Sequence, residues 1–113
     1  MIEIIHNPHC SKSRAALNFL KESGLDVKEI RYLENPLYKE ELRNILKKLG
    51  ISPYDLIRKN EAVFKDEFKD KDLSGEEWID AMVKYPKLIE RPIVINGNSA
   101  VVGRPLAKVE EII

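Results

Sequence analysis

Residues 1–14 read MIEIIHNPHCSKSR, and this segment contains the signals that best indicate the fold. Met1 to Ile5 is a short β-branched run, typical of a buried strand. Asn7-Pro8 breaks this run, because the residue before a proline is pushed out of the helical conformation. A helix is predicted from Ser11 to Ser23, with apolar residues at helical spacing and Gly24 as its C-cap. The cysteine at position 10 is therefore predicted to lie where the first strand turns into the first helix.

The rest of the chain adds a second strand, several helices, a β-hairpin and a last helix. Ser74 and Glu77 have capping-box spacing, and 96–98 has the composition of a hairpin turn. A β-α-β unit pairs its strands in parallel, and a hairpin adds antiparallel strands. We predict an α/β fold with a mixed four-stranded sheet and helices on its faces. The remaining predicted elements are strands at 25–32, 92–95 and 100–102, and helices at 38–49, 54–58, 60–71, 74–84 and from Pro105.

Composition narrows the class of protein. The chain has 113 residues, of which 43% are hydrophobic and 34% charged, as expected of one globular domain. Its 19 basic and 19 acidic residues balance, so neither a nucleic-acid partner nor a membrane surface is predicted. The amino terminus lacks the features of a signal peptide. A single cysteine excludes an internal disulfide and fits the reducing cytoplasm.

The residues around Cys10 predict a reactive thiol. The first N–H groups of a helix and its dipole concentrate positive potential, which favours thiolate over thiol. Lys12 and Arg14 add positive charge. The hydroxyls of Ser11 and Ser13 can donate to a sulfur anion or to a bound oxyanion. The pattern indicates a short anion-binding loop that contains a nucleophile.

These residues also allow other interpretations. A lone cysteine is often a small buried hydrophobe, but the polar neighbours of Cys10 do not belong on a core segment. His6 either supports the thiolate or relays a proton, or it is a strand-end histidine with a satisfied hydrogen bond. His9 can point to solvent. One cysteine and two histidines within five positions match no structural zinc spacing, so no metal site is predicted.

Four segments, in this order, resemble the arsenate reductases that work with glutathione and glutaredoxin, a family that also includes Spx-type regulators. The resemblance covers essentially the whole chain. The segments are Asn7-Pro-His-Cys10-Ser-Lys-Ser13-Arg14, Leu56-Ile-Arg58-Lys-Asn60, Glu90-Arg91-Pro92-Ile-Val-Ile95 and Gly103-Arg104-Pro105.

The resemblance implies a thioredoxin-like fold. It also implies a single domain over 1–113 with a helical insertion at about 37–88. In that fold the proline before the third strand is usually cis and faces the active cysteine. We therefore expect a cis bond between Arg91 and Pro92.

The resemblance also implies a chemistry. Cys10 would attack arsenate, and Arg58, Arg91 and Arg104 would bind the oxyanion as planar, bidentate donors. Glutathione would be the co-substrate and glutaredoxin the protein partner, with no bound cofactor. Arg31 and Arg43 are predicted to be ordinary surface ion-pair residues. The residues expected to support the thiolate are His6, Ser13, Arg14 and Pro92.

Two other functions stay open at this point. One is a monothiol, glutathione-linked oxidoreductase whose arginines bind glutathione carboxylates. The other is an Spx-like regulatory module that acts by interaction and uses the charged segment 60–71 for docking. Regulators of the Spx type usually carry Cys-x-x-Cys, whereas Ser13 occupies the second position here.

Overall fold

The structure is a computed structural model that describes residues 1–113. The chain forms two compact units, Met1–Asn35 with Arg91–Ile113, and Pro36–Glu90. The strands are β1 (Ile2–Ile5), β2 (Val27–Ile30), β3 (Ile93–Asn96) and β4 (Ser99–Val102). The helices are α1 (Ser11–Glu22), α2 (Lys39–Leu49), α3 (Ala62–Glu67), α4 (Gly75–Lys84) and α5 (Ala107–Glu110), with 3-10 turns at Pro53–Leu56 and Pro86–Leu88.

The first unit contains the four-stranded sheet, in the order β2-β1-β3-β4. β1 pairs in parallel with β2 and antiparallel with β3, so that Ile4 lies opposite Glu29 on one side and Val94 on the other. β3 and β4 form an antiparallel hairpin in which Ile93 pairs with Val102. The predicted mixed sheet is confirmed. This register places the residues before β3 beside those after β4.

One face of the sheet packs against α1 and α5. Alternation along β1 sends Ile2 and Ile4 to the same face, where they meet the apolar side of α1. Along α1 the buried positions recur at helical spacing, and Ser13 is the first of them. The buried cluster consists of Ile2, Ile4, Ala16, Leu17, Leu20, Val94 and Val109.

The second unit is helical. Gly50 ends α2 in the left-handed conformation, with φ of 68°, which an L side chain rarely adopts. The predicted capping box of Ser74 and Glu77 opens α4. Between these helices, hydrogen bonds from Arg43 and Lys39 lower the pKa of the Glu76 carboxyl to about 2. The limits of this unit resemble those of the expected insertion at 37–88, and the single domain stays a prediction.

Several predicted bounds are wrong. The helix expected at 60–71 is only Ala62–Glu67, and Asp70 has a positive φ of 67°. The segment 54–58 is not a helix beyond the 3-10 turn, because Ile57 pairs with Ile89 as an isolated β-bridge. The last helix begins at Ala107 rather than at Pro105. The strand expected at 25–32 is the shorter β2, Val27–Ile30.

Candidate active site

Cys10 is the N-cap residue of α1, with extended backbone angles of φ −102° and ψ 123°. Its carbonyl accepts the first helical hydrogen bond, from the N–H of Arg14 at 3.0 Å. Its own N–H donates to the carbonyl of Asn7 at 3.0 Å, which closes the loop from β1. The N–H groups of 11–13 lie in the first helical turn and have no acceptor within the helix. The side chain of Cys10, 9% exposed, therefore lies beside backbone donors that favour an anion.

Arg104 contacts the cysteine directly. Its Nη2 donates to Sγ of Cys10 at 3.4 Å, and its Nε donates to the carbonyl of Arg91 at 2.7 Å. A hydrogen bond from a cationic donor stabilises the thiolate form of a cysteine. The guanidinium of Arg104 therefore lies between Sγ of Cys10 and the backbone that precedes β3.

Arg91 has hydrogen-bond donors that are not used. Its Nε and Nη1 are buried and have no hydrogen-bond partner within the protein. Buried polar groups are almost always paired, so an arginine whose buried nitrogen atoms have no partner is unusual outside a binding site. These donors fit the oxygens of a small anion.

The segments around Pro92 and Gly103 pack closely against each other, and this packing positions Arg91 and Arg104. The N–H of Gly103 donates to the carbonyl of Pro92 at 2.8 Å. A Cβ at position 103 would lie 3.1 Å from Cγ of Pro92 and 3.2 Å from Cγ2 of Val109, which is tighter than ordinary contact. A side chain there would push the segments of the two arginines apart. The Arg91–Pro92 bond is cis, as expected, and the Arg104–Pro105 bond is also cis, which was not expected.

His6 and Ser13 meet behind the cysteine loop. His6 is 2% exposed and Ser13 0% exposed, and Nδ1 of the imidazole lies 2.6 Å from the hydroxyl oxygen. The same hydroxyl accepts the N–H of Asn7 at 3.0 Å, so its hydrogen is available to donate to Nδ1 of a neutral His6. Arg14, which is exposed, donates from Nη1 to the carbonyl of Pro8 at 3.0 Å. These bonds fix the loop backbone, whereas the hydrogen bond to Sγ comes from Arg104.

The electrostatics of His6 also favour the neutral imidazole. Burial lowers the pKa of His6 from its usual value of 6.5, and it is the largest cause. The carboxylate of Glu29 opposes this shift, while the positive charges of Arg31, Lys21 and Arg14 add to it. The neutral form leaves Nδ1 free to accept from the hydroxyl of the loop.

We expect the protein to lose stability in mild acid through His6. The pKa of His6 is lower in the folded state than in the unfolded state, so neutral His6 stabilises the fold fully above about pH 6.5. This contribution is lost as the pH falls towards the folded-state pKa, because the unfolded state binds the proton more tightly. Urea unfolding at about pH 7.5 and about pH 5.5 should show a smaller loss for His6→Gln than for wild type. Equal losses in the two proteins would assign the acid sensitivity to other groups.

Arg58 lies in the second unit and has a different environment. Its Nη1 lies 2.7 Å from Oε2 of Glu61, and its Nε lies 3.8 Å from Oε1 of Glu90. The N–H of Arg58 donates to the carbonyl of Leu88, and that of Glu90 to the carbonyl of Leu56. These backbone bonds hold Arg58 and Glu90 next to each other. Neither carboxylate was predicted as a partner of Arg58, although Arg58 and Glu61 have the spacing of a local ion pair.

A sequence model of the ArsC family matches residues 5–112. The chain belongs to the ArsC family. It is 46% identical to the uncharacterized protein YfgD of Escherichia coli K12, over 99% of this chain and 96% of that protein. It is 40% identical to the arsenate reductase of Neisseria meningitidis Z2491, over 99% and 97% of the two chains. The solved structure of an arsenate reductase from Vibrio cholerae is 39% identical, covers 99% of this chain and 97% of its own, and superposes with a TM-score of 0.94.

The comparisons confirm the thioredoxin-like α/β fold of this ArsC-family chain. Within its first unit, Arg104 bonds Sγ of Cys10 and the backbone carbonyl of Arg91, and His6 bonds Ser13 at the start of the same helix. No cluster of three or more His, Cys, Asp or Glu side chains has the geometry to hold a metal ion. None of the helices is long and apolar enough to cross a membrane.

The two arginines assigned to surface ion pairs do form them. Arg31 lies 3.5 Å from Glu29, and Arg43 contacts both Glu40 and Glu76.

Asn7 is a site residue that was not predicted to be one. Its N–H binds Ser13, and its Oδ1 accepts the N–H of His9 at 3.0 Å. An Asn before a proline at the end of a strand is the signal that marks such a turn.

Proposed function

We propose that this ArsC-family protein reduces arsenate to arsenite, with Cys10 as the nucleophile and external thiols as the reductant. The observation that carries the proposal is the hydrogen bond from Arg104 to Sγ of Cys10, and the free buried donors of Arg91, whose carbonyl the same arginine binds, add to it. Relatives of similar length that are called arsenate reductases support it. A thiolate, cationic donors and a helix N-terminus are together suited to a tetrahedral oxyanion.

We assign substrate binding to the arginines and to the N-terminus of α1. The donors of Arg91 bind oxygens of the arsenate, and Arg104 bridges the anion and the thiolate. We also assign Arg58 to the oxyanion, as the third arginine of the family pattern. The backbone N–H groups of 11–13 neutralise charge that builds up as the thiolate attacks.

In the first step the thiolate of Cys10 attacks arsenic. A sulfur–arsenic bond forms, and one arsenate oxygen leaves as water after it is protonated. Arsenic remains in the +5 state in this thioester. Positive charge around the sulfur favours both the thiolate and the negatively charged transition state.

In the second step an external thiol supplies the other half of the reduction. The thiolate of glutathione attacks the sulfur of Cys10, so a sulfur–sulfur bond forms and the sulfur–arsenic bond breaks. The electron pair of the broken bond passes to arsenic, which leaves as arsenite. Two thiols are oxidised to one disulfide, and arsenic gains two electrons. Glutaredoxin then removes the glutathione by thiol–disulfide exchange, because the chain has no second cysteine.

The residues behind the loop position the nucleophile. We assign His6, Ser13, Arg14 and Pro92 to this supporting role. His6 and Ser13 bond each other, and Ser13 and Arg14 bond the backbone of the loop. We further propose a cytoplasmic protein in which the helical unit is an insertion into a single thioredoxin-like domain.

The test is arsenate-dependent oxidation of NADPH in a mixture of glutathione, glutaredoxin and glutathione reductase. The proposal predicts turnover that requires all components and yields arsenite in amounts equal to the NADPH oxidised. Turnover that needs glutathione and glutaredoxin but not arsenate would instead indicate a monothiol glutathione-linked oxidoreductase. No turnover with any thiol substrate would favour an interaction module.

A further inference from the structure

Two adjoining cavities open on the helical unit, and both are lined only by residues of that unit. One has a volume of about 540 Å³ and lies between the first 3-10 turn, the segment after α3 and the start of α4. The other, of about 370 Å³, lies between the end of α3 and α4. Both are lined by Lys71 and Leu73, so they adjoin. Each has the size of a ligand pocket, about 300–1,000 Å³. Together they are called the aromatic groove, after the side chains of Tyr54, Phe68, Trp78 and Tyr85 that line it.

The rings of the aromatic groove pack against one another. Trp78 is 4% exposed, and its ring centroid lies 5.2 Å from that of Tyr54 and 5.7 Å from that of Phe68. Phe68 meets the ring of Tyr85 edge-on at 5.8 Å. Tyr54 is 42% exposed, so part of this aromatic surface faces solvent. Packed aromatic rings provide a rigid apolar surface of the kind that is enriched in protein interfaces.

Two rings of the groove already contact ammonium groups of the chain. Nζ of Lys71 lies 5.6 Å from the ring centroid of Phe68, and Nζ of Lys84 lies 5.3 Å from that of Tyr85. The face of an aromatic ring attracts a cation, and a planar guanidinium can also stack on it. Lysine has a flexible stem and a strongly hydrated head, so an incoming guanidinium can displace it from the ring. The groove therefore offers positions to cationic side chains of a partner.

The charge of the groove points to the same kind of ligand. The chain as a whole has no net charge, but five carboxylates against two ammonium groups line the two cavities, a net charge of −3. Asp80 pairs with Lys39 at 2.7 Å. Glu67, Asp70 and Asp72 make no ion pair within the chain. Excess negative charge beside aromatic rings favours a cationic ligand.

We propose that the aromatic groove binds an arginine-bearing segment of a partner protein. The guanidinium groups stack on the rings and pair with Asp70 and Asp72. Two adjoining cavities accept two side chains of one extended segment, whereas a small amine fills only one of them. The interaction does not depend on the proposed reduction of arsenate, because it uses neither Cys10 nor the arginines assigned to the oxyanion.

The fluorescence of Trp78 tests the proposal, because it is the only tryptophan of the chain and lines the groove. The probe is a short peptide in which arginines alternate with serines, titrated at low ionic strength. The control peptide has citrulline, which is uncharged and nearly the same shape, in place of arginine. We expect a saturable change in emission with the arginine peptide alone.

Replacement of two aspartates of the groove should weaken this binding. Asp70→Asn with Asp72→Asn should raise the Kd of the arginine peptide about fivefold, as for loss of two exposed ion pairs. Asparagine also tolerates the left-handed conformation of position 70, where φ is 67°, so the variant should fold. The matched control is Asp55→Asn with Asp66→Asn. Both of these aspartates are exposed, belong to the same unit and line neither cavity, so the Kd should keep its wild-type value.

The amide NMR signals of the protein show where the peptide binds. Shifts of the signals of 70–73, together with weaker binding in the groove variant but not in the control variant, support the proposal. No binding, equal binding of the citrulline peptide, or an equal loss in the control variant overturns it. Spermine that binds as tightly as the peptide would assign the groove to a small amine. Self-association that the groove variant abolishes would assign it to a second copy of the chain. Either of these results also overturns the proposal.

Discussion

Cys10→Ser abolishes arsenate-dependent NADPH oxidation, with a loss of roughly 10³-fold or more. A serine hydroxyl has nearly the same size, and its oxygen can accept the hydrogen bond from Arg104 that Sγ accepts in the wild type. It is not ionised near neutral pH, and it cannot form the disulfide whose formation supplies the two electrons that reduce arsenic. The loss should therefore appear in kcat, with little change in the binding of phosphate as an inert anion.

The control for this result is the folded state. Cys10→Ser should keep the urea unfolding midpoint of the wild type within a small margin, because the substituted atom lies at a helix N-cap and serine is a favoured residue there. A variant that is folded, binds phosphate and still reduces arsenate would remove Cys10 from the mechanism.

Arg104→Lys should have the second largest effect, a fall in kcat/KM of about 10²-fold. Arginine reaches Sγ of Cys10 with Nη2 while Nε bonds the carbonyl of Arg91, and both bonds come from one planar group. An ammonium keeps the charge but has no such fork, so it cannot hold both acceptors in this geometry. The variant should also react more slowly with iodoacetamide, because Sγ of Cys10 loses its hydrogen bond from Nη2.

Arg43→Lys is the matched control, since Arg43 binds two carboxylates on the surface of the other unit. It should leave kcat/KM and the rate of alkylation at the wild-type values. If Arg104→Lys also kept both values, positive charge alone would explain the site, and the forked geometry of Arg104 would have no role.

The part of the fold that could be predicted from sequence is the part with strong local signals. The β-branched run, the proline at position 8 and the apolar spacing of α1 each act within a few residues, so they place Cys10 correctly. The segment 60–71 has helical composition throughout. Its helix ends at Glu67 because the N–H groups of Phe68 and Lys69 both bond the carbonyl of Phe64, a closing turn that composition does not reveal. The pairing of Ile57 with Ile89 is a long-range contact, and local propensity cannot predict it.

The residues of the site also differ in how far the sequence could predict their positions. Arg91 and Arg104 flank a predicted hairpin, and pairing of Ile93 with Val102 necessarily places them side by side. Ser13 lies on the buried side of α1, so its role behind the loop could have been predicted from helical periodicity.

The pairing of Arg58 with Glu90 could not have been predicted. The two residues are distant in sequence, and their contact depends on the backbone bonds that join 56–58 to 88–90.

Reduction of arsenate through Cys10 is tested by the intact mass of the protein after incubation with arsenate and glutathione, with glutaredoxin left out. We expect one glutathione to become disulfide-bonded to Cys10, in an adduct that requires arsenate and that added glutaredoxin removes. An adduct that forms equally without arsenate, or no adduct while arsenite still accumulates, would contradict this mechanism.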